Sequence, residues 1–397
     1  MLLSPPDRSK VSHGFEPCLS MLWEILWPLI LGFTLSGIVQ AMVSHQAMAR
    51  ALGGSSPKNL TLATLFGIAS SSCSYAAVAL ARSIFQKGAS FTSAIAFELA
   101  STNLVIELGI ILIVLLGWQF TAAEFLGGIL MVIFIALIFR FTLTPRLIQM
   151  AKAQAEKGQM GRMEGHAAMD MSVAGGSFFQ KLLSGKGFTA VSNYFVMDWA
   201  SVWVDIVLGL LIAGALAAWV PDSFWRAFFL SNNPTLAKIE GPLVGPLVAI
   251  VSFVCSVGNV PLAAVLWKGG ISFGGVVSFI FADLIILPIL DIYRKYYGWK
   301  MMGYILVTFY VTMAAAGYIV EFLFEALGII PQNRNVVAIT EGIQWNYTTV
   351  LNIIFLLLAA VLVIRFIRTG GLPMLRMMSA PEHDMSHEDM AHDDMTH

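Results

Sequence analysis

Apolar runs long enough to cross a bilayer recur along the chain near 22–42, 121–141, 200–220, 271–290, 302–327 and 347–367. A helix needs about 20 such residues to traverse the hydrocarbon core. Three further stretches, 60–85, 89–118 and 241–267, are apolar but interrupted or unusually long. The mean hydropathy of +0.77 and a charged fraction of only 12% exclude an ordinary soluble domain. The expected class is an all-α integral membrane protein, multi-pass, in the cell inner (plasma) membrane. Net charge near zero gives no reason to expect a nucleic-acid partner. Three cysteines in 397 residues do not make a disulfide scaffold. The first twenty residues lack a short apolar core followed by a small-residue cleavage site, so no cleaved leader is expected.

The interrupted stretches are related. "CSYAAVALARSIFQKGASFTSAIAFELA" (73–100) lies over "CSVGNVPLAAVLWKGGISFGGVVSFIFA" (255–282) at a constant offset of 182, with ten identities in 28 ungapped positions. Each copy follows an apolar segment with an acid near its start, Glu24 and Asp205. The expected architecture is two four-segment repeats, each with a re-entrant or broken hairpin, plus one extra C-terminal helix. Its divisions are an N-terminal tail (1–20), a first membrane repeat (21–141), a cytoplasmic linker with a Met/His segment (142–199), a second repeat (200–330), a final transmembrane helix (331–368) and a Met/His-rich disordered tail (369–397).

Orientation follows from counting Lys and Arg. If the broken segments span fully, 13 of the 23 fall on the cytoplasmic side; if they re-enter, 17 do. The positive-inside rule prefers re-entry, and the two halves are then inverted relative to one another. Arg8 and Lys10 lie on the wrong side in that arrangement.

A backbone break inside a membrane persists only where protein or a watery cavity satisfies it. Ser72, Cys73 and Ser74, with Ser70 and Ser71, form one candidate substrate site; Cys255, Ser256, Gly258, Asn259 and Pro261, with Ser252, form the other. Thiolates select soft ions, but small residues also let membrane helices approach closely, so packing competes with ligation for the two cysteines. Glu98, Asn103 and Asp283 follow the hairpins and are candidate coupling residues, against static pairing as the alternative. An unpaired charge at such a depth costs about 2.5 kcal/mol or more. Glu107 also falls in an apolar run, whereas Asp291, before "YRKYYGWK", reads as an interfacial anchor.

The tail "PEHDMSHEDMAHDDMTH" sets His383, His387, His392 and His397 among Met385, Met390 and Met395, a donor set suited to copper or zinc. A weaker echo in the linker carries Met160, Met163, His166, Met169 and Met171. The tail has no apolar face with which to pack and is expected to be disordered on its own.

The two hairpins, above all "SFVCSVGNVPLAAVLWKGGISFGGVVSFIFADLIILPILDIYRKYYGW", resemble the predicted-permease family that contains the organoarsenical efflux permeases. The resemblance implies an inner-membrane exporter of trivalent arsenicals or, in related branches, of copper and zinc. Many members read Cys-Ser-Cys-Gly, then proline, in the hairpin. Here the first copy is Cys73, Ser74, Tyr75, Ala76 with Ala79, and the second Cys255, Ser256, Val257, Gly258 with Pro261, leaving one thiol per hairpin. The expected function is a secondary efflux permease for a soft metal or metalloid, whose substrate is a small inorganic or organometalloid species. Candidate partners are membrane lipid, a second copy of the chain and a cytoplasmic metal chaperone. A metal-responsive sensor or assembly factor that binds through the tail is the competing class. No HExxH, GxSxG or P-loop occurs, so neither an enzyme nor built-in ATP hydrolysis is expected, and no cofactor.

Overall fold

The computed structural model describes residues 8–42, 51–71, 73–156, 171–173, 178–220, 222–230, 233–252, 256–334, 345, 347–373 and 375; among these every regular element is helical. The described chain runs through α1 (Arg8–Met42), α2 (Pro57–Ser70), α3 (Ser74–Gln86), α4 (Phe91–Asn103), α5 (Ile106–Leu115), α6 (Trp118–Thr142), α7 (Pro145–Glu156), α8 (Phe178–Leu182), α9 (Gly185–Trp219), α10 (Asp222–Phe228), α11 (Pro234–Ile250), α12 (Ser256–Gly269) and α13 (Phe273–Phe281). A 3₁₀ turn (Ala282–Ile285) then leads to α14 (Leu287–Tyr297), α15 (Trp299–Ala326) and α16 (Tyr347–Arg368). Among the described residues five stretches are long and apolar enough to cross a membrane, one of them the joined α4 and α5, and a sixth if Phe273–Ile285 and Leu287–Tyr297, bent by 41°, are taken as one span.

Local chemistry fixes the helix starts. Ser56 caps α2, accepting from the Asn59 N–H, and Pro57 follows in the first turn, where its missing N–H costs nothing. Ser90 caps α4 and Ser272 caps α13, each accepting from the N–H three residues on. Gly88 and Gly270 precede these caps with the same left-handed φ of 110°, a conformation that other residues adopt at a cost. Gly117 and Gly298 likewise turn the chain at positive φ into α6 and α15. The helix starts at Ser74 and Ser256, and at Phe91 and Phe273, therefore recur at the offset of the sequence repeat.

Two pairs of long helices run antiparallel. On α1 and α9, Phe33 meets Trp199 edge-on at 5.2 Å, Ser36 lies 3.2 Å from Asp198, and Lys181, before α9, reaches the Met42 carbonyl at 3.5 Å. On α6 and α15, Thr142 bonds Tyr304 at 2.7 Å, while Gly127 packs near Val320.

Both ends of the α2–α3 hairpin lie together. Ser90 bonds the Leu52 carbonyl through its N–H and the Gly54 carbonyl through its hydroxyl, each at 3.0 Å. This ties the chain entering α2 to the start of α4, just after α3 ends. Arg82 and Gln86 on α3 both donate to Ala155 O of α7, at 2.8 and 2.6 Å, and Gln154 of α7 donates to Lys295 O. This end carries Arg82, Lys87, Arg140, Lys152 and Lys295, and is called the basic end below.

The second hairpin, α11–α12, has its two ends together at the opposite end. Pro234 and Lys238 share a cavity of about 580 Å³ with Lys268, Ser272, Glu325 and Arg334. Gly241 packs against Ser272. Finally, α16 lies along α1 and α9: Asn352 donates to the Trp23 carbonyl at 2.7 Å, Thr348 to Glu24 at 2.9 Å, and Arg365 to Gly185 O at 3.1 Å.

Candidate functional site

The first hairpin breaks at its tip. Ser71 adopts the left-handed conformation (φ 42°, ψ 66°) and ends α2, its N–H reaching Gly67 O. Of the carbonyls that a helix C-terminus leaves open, that of Ser70 accepts from Ser36 Oγ at 2.9 Å. The Ser71 hydroxyl donates to the buried carboxylate of Glu107 at the start of α5. On the far side of the break Cys73 restarts the helix: its Sγ accepts from the Ala76 N–H at 3.5 Å as the cap of α3. The thiol is half-buried and free of any disulfide.

The next residue crosses to the other half of the chain. Ser74 Oγ donates to Asp283 Oδ2 at 2.6 Å, and both side chains are fully buried. Asp283 sits in the 3₁₀ turn that interrupts α13 and α14. After it Ile286 is extended (ψ 151°), and Pro288, with no N–H to give, lies in the first turn of α14. Glu98 on α4 accepts from the hydroxyl of Tyr293 on α14, again across the two halves. Glu124 on α6 completes the group, and Asp283 lies within electrostatic reach of both glutamates.

Three carboxylates are thus gathered in the interior, at 0–1% exposure. Both oxygens of Glu124, Oε2 of Glu98 and Oδ1 of Asp283 find no hydrogen-bond partner among the described residues. The ion pairs found there join Lys238 to Glu325, and Arg294 and Lys295 to Asp291. None of the three buried acids forms an ion pair among the described residues, in surroundings where an unpaired charge is expensive. Groups of this kind can carry a proton or face a cation passing the break.

The second tip is described in part. α11 ends at Ile250, and α12 begins at Ser256. Ser252 donates to Asn259 Oδ1 at 3.2 Å, and Asn259 Nδ2 has no partner among the described residues. Ser256, Gly258, Asn259 and Pro261 are all buried in α12.

The structure therefore brings Ser74, Asp283 and Glu98 together, and adds Glu124 and Tyr293, which the sequence reading passes over. Glu124 carries one legible signal: it is the acid near the start of the apolar run 121–141. Asn103 is buried at the end of α4, but its amide donates to Leu99 O and Thr102 Oγ1, its own helix, rather than to the carboxylates. Asp291 pairs with Arg294 and Lys295 one turn away, as an anchor should. Ser72, Cys255 and the side chain of Asp205 lie outside the described residues, as do His383, Met385, His387, Met390, His392, Met395, His397 and the linker residues Met160, Met163, His166 and Met169. Among the described residues no three His, Cys, Asp or Glu side chains are placed to hold a metal ion together.

Comparison with known proteins agrees with a transport role. No solved structure matches the chain. A Mycobacterium tuberculosis protein named "Putative permease Rv2963" is 59% identical over 348 residues, covering 87% of this chain and 86% of that protein. The Escherichia coli protein "UPF0718 protein YraQ" is 22% identical over 219 residues, 55% of this chain and 57% of that protein. The profile of the family ArsP_1, described as "Predicted permease", matches residues 13–322, which include every helix from α2 to α14 and both interrupted hairpins. The chain is a multi-pass membrane protein and belongs to this permease family.

Proposed function

We propose that this chain is a secondary carrier of the inner membrane that exports a soft metal or metalloid species, a trivalent arsenical or a Cu/Zn-type ion. In this reading the two hairpins are inverted repeats that re-enter the bilayer from opposite faces, and their tips flank the substrate path. The supporting geometry is the antiparallel pairing of α1 with α9 and of α6 with α15. Equivalent helices related by a two-fold axis in the membrane plane must run oppositely where they touch, as in other carriers of this design. The hairpin ends agree, lying together at the basic end for α2–α3 and at the opposite end for α11–α12. The basic end is cytoplasmic by the positive-inside rule.

One observation carries the mechanism: the tip residue Ser74 of one half is bonded to Asp283 of the other, beside Glu98 and Glu124. A carrier needs a group whose charge changes as the substrate passes, and a carboxylate without a cationic partner can take a proton when the cation leaves. The soft-ion assignment rests on the family resemblance and the Met/His tail. Cys73 supports it less, because its sulfur serves as a helix cap.

Everted vesicles offered arsenite, methylarsenite, Cu(I) or Zn(II) in parallel at their outward-facing cytoplasmic surface test the reading. Uptake of one of these, abolished by Asp283→Asn and by a protonophore while the protein still inserts, is the expected result. Undiminished uptake in Asp283→Asn would remove the site.

A further inference from the structure

The two halves are not equally closed. On α15, Tyr310 donates its hydroxyl to the Leu243 carbonyl at 3.0 Å and Tyr318 donates to the Ile239 carbonyl, so α11 is held against α15. Lys238 and Glu325 tie the same two helices at the end of the hairpin. Stepping back by 182 from Ile239 and Leu243 gives Pro57 and Thr61, and stepping back by 181 from Tyr310 and Tyr318 gives Ile129 and Leu137. Neither Ile129 nor Leu137 has a hydroxyl to give. All four of these residues line an open groove of about 990 Å³ between α2 and α6, near the upper end of the roughly 300–1,000 Å³ usual for ligand clefts.

The groove has two chemically distinct parts. Its walls are aliphatic, with Leu65, Ile129, Ile133 and Leu137 each 46–56% exposed. Its mouth, at the basic end, is formed by Ser55, Ser56 and Arg140. Arg140 is exposed and has no acidic partner among the described residues. From Ile129 to Arg140 the groove follows α6 for about 16 Å at 1.5 Å per residue, about half of the roughly 30 Å hydrocarbon thickness. That is the depth of one leaflet.

We propose that this groove is a binding site for one anionic glycerophospholipid. An acyl chain lies between α2 and α6, and the phosphate meets Arg140 and the Ser55 hydroxyl, the Ser56 hydroxyl being held by Asn59 as the cap of α2. Length, aliphatic lining and a basic, hydroxyl-bearing mouth together fit a diacyl lipid better than a peptide or a soluble anion, and basic pockets between membrane helices are known to select acidic headgroups. The proposal depends on the orientation above only for the leaflet, which is the cytoplasmic one.

The test measures lipid directly and leaves transport aside, so its failure would not touch the carrier reading. The full chain is purified in detergent, exposed to equal amounts of phosphatidylglycerol and phosphatidylcholine, washed and weighed by native mass spectrometry. The wild type should retain about one phosphatidylglycerol, with a preference of about fivefold over phosphatidylcholine, the contribution of one basic side chain. Ile129→Tyr with Leu137→Tyr, which transplants the closed half's hydroxyls, should lose the retained lipid while melting at or above the wild-type temperature. Arg140→Gln, an exposed change, should keep bound lipid and lose the preference. If the double variant does not fold, Ile133→Trp fills the groove from its exposed wall. Equal retention in the groove-filling variant and the wild type overturns the site, and so does a preference that survives Arg140→Gln.

Discussion

Ser74 and Asp283 stand 209 residues apart in the chain and 2.6 Å apart in the fold, hydroxyl to carboxylate, with no solvent access to either. The bond joins a hairpin tip of one half to the break between α13 and α14 in the other, so it is a reporter of both structure and transport. Its two ends should respond differently. Ser74→Ala removes the donor and leaves a second buried oxygen of Asp283 unpaired, at a cost of about 1–3 kcal/mol; thermal melting in detergent should show the loss. Asp283→Asn keeps an oxygen to accept from Ser74, so its melting temperature should stay close to wild type while transport disappears. Equal loss of stability in both variants would make Asp283 a structural residue.

Cys73 offers a cleaner separation of roles. Its sulfur caps α3 at the Ala76 N–H, and a serine hydroxyl can do the same. Cys73→Ser should therefore melt near wild type, and Cys73→Ala should lose about 1 kcal/mol. If the thiol also meets the substrate, Cys73→Ser alone will raise the substrate concentration needed for half-maximal flux, and the two measurements will part company. Flux unchanged in Cys73→Ser would assign the residue to capping only.

The opposed hairpins have a direct readout. In a chain whose Cys18, Cys73 and Cys255 are replaced by serine, Lys87→Cys lies where α3 turns into α4, and Lys268→Cys lies at the end of α12. A membrane-impermeant maleimide should label the first only in everted vesicles and the second only in right-side-out ones. Labelling of both from one face would show that the hairpins do not enter from opposite sides.

Much of this arrangement was open to reading in the sequence, and the reason is physical. Lipid forbids an unsatisfied backbone, so a run holding Ser71, Cys73 and Ser74 between apolar flanks has to mark a break, and the break is there. The offset of 182 between hairpins is matched by the starts of α3 and α12 and by Gly88 and Gly270. Asp283 and Glu98 stand out in the sequence because acids are costly in apolar helices. Which groups they meet was not legible, because Ser74 and Tyr293 come from the other half, and no local pattern encodes a contact across 209 or 195 residues. Asn103 shows the converse limit: a polar residue in an apolar helix drew notice, yet its amide is spent on its own turn. The sequence marks 89–118 as interrupted or unusually long but not where, since no Gly or Pro stands at the split at Leu104 and Val105.

Removal of residues 381–397 separates two classes of function. An exporter fed by a loose metal-binding tail should keep its maximal flux and lose rate only at low substrate, because the tail raises local concentration without forming the path. A sensor or assembly factor that works through the tail should lose its whole effect. Dose-response curves of a strain carrying the truncated chain, from trace to saturating substrate, decide between a shifted curve and an absent one.

The hairpins are positioned by small residues, and this leads to a prediction about how tightly the tip is held. Gly67 on α2 lies so close to α4 that a Cβ there would stand 2.7 Å from Ala100 Cβ and 3.0 Å from Ser101 N. Gly245 on α11 meets α13 in the same way, with an added Cβ 2.6 Å from Ser278 Oγ and 3.0 Å from Phe279 N. Ala63 and Ala249, one turn from each glycine, are fully buried, so each hairpin presents a small-xxx-small stripe, the pattern that lets membrane helices approach backbone to backbone. Offset 182 carries Ala63 onto Gly245 and Gly67 onto Ala249, the same pair with its members exchanged. Because the neighbours of Gly67 include backbone, Gly67→Val cannot be absorbed by a rotamer change and should cost about 1–3 kcal/mol or more. It should also lift α2 from α4, and with it the tip that holds Ser74 to Asp283. Ala63→Gly, which only removes a methyl, should leave the helices in contact. Melting temperature and flux should fall together in Gly67→Val and in Gly245→Val and stay near wild type in Ala63→Gly. A Gly67→Val protein that melts and transports like the wild type would mean that α2 does not depend on α4 for its place.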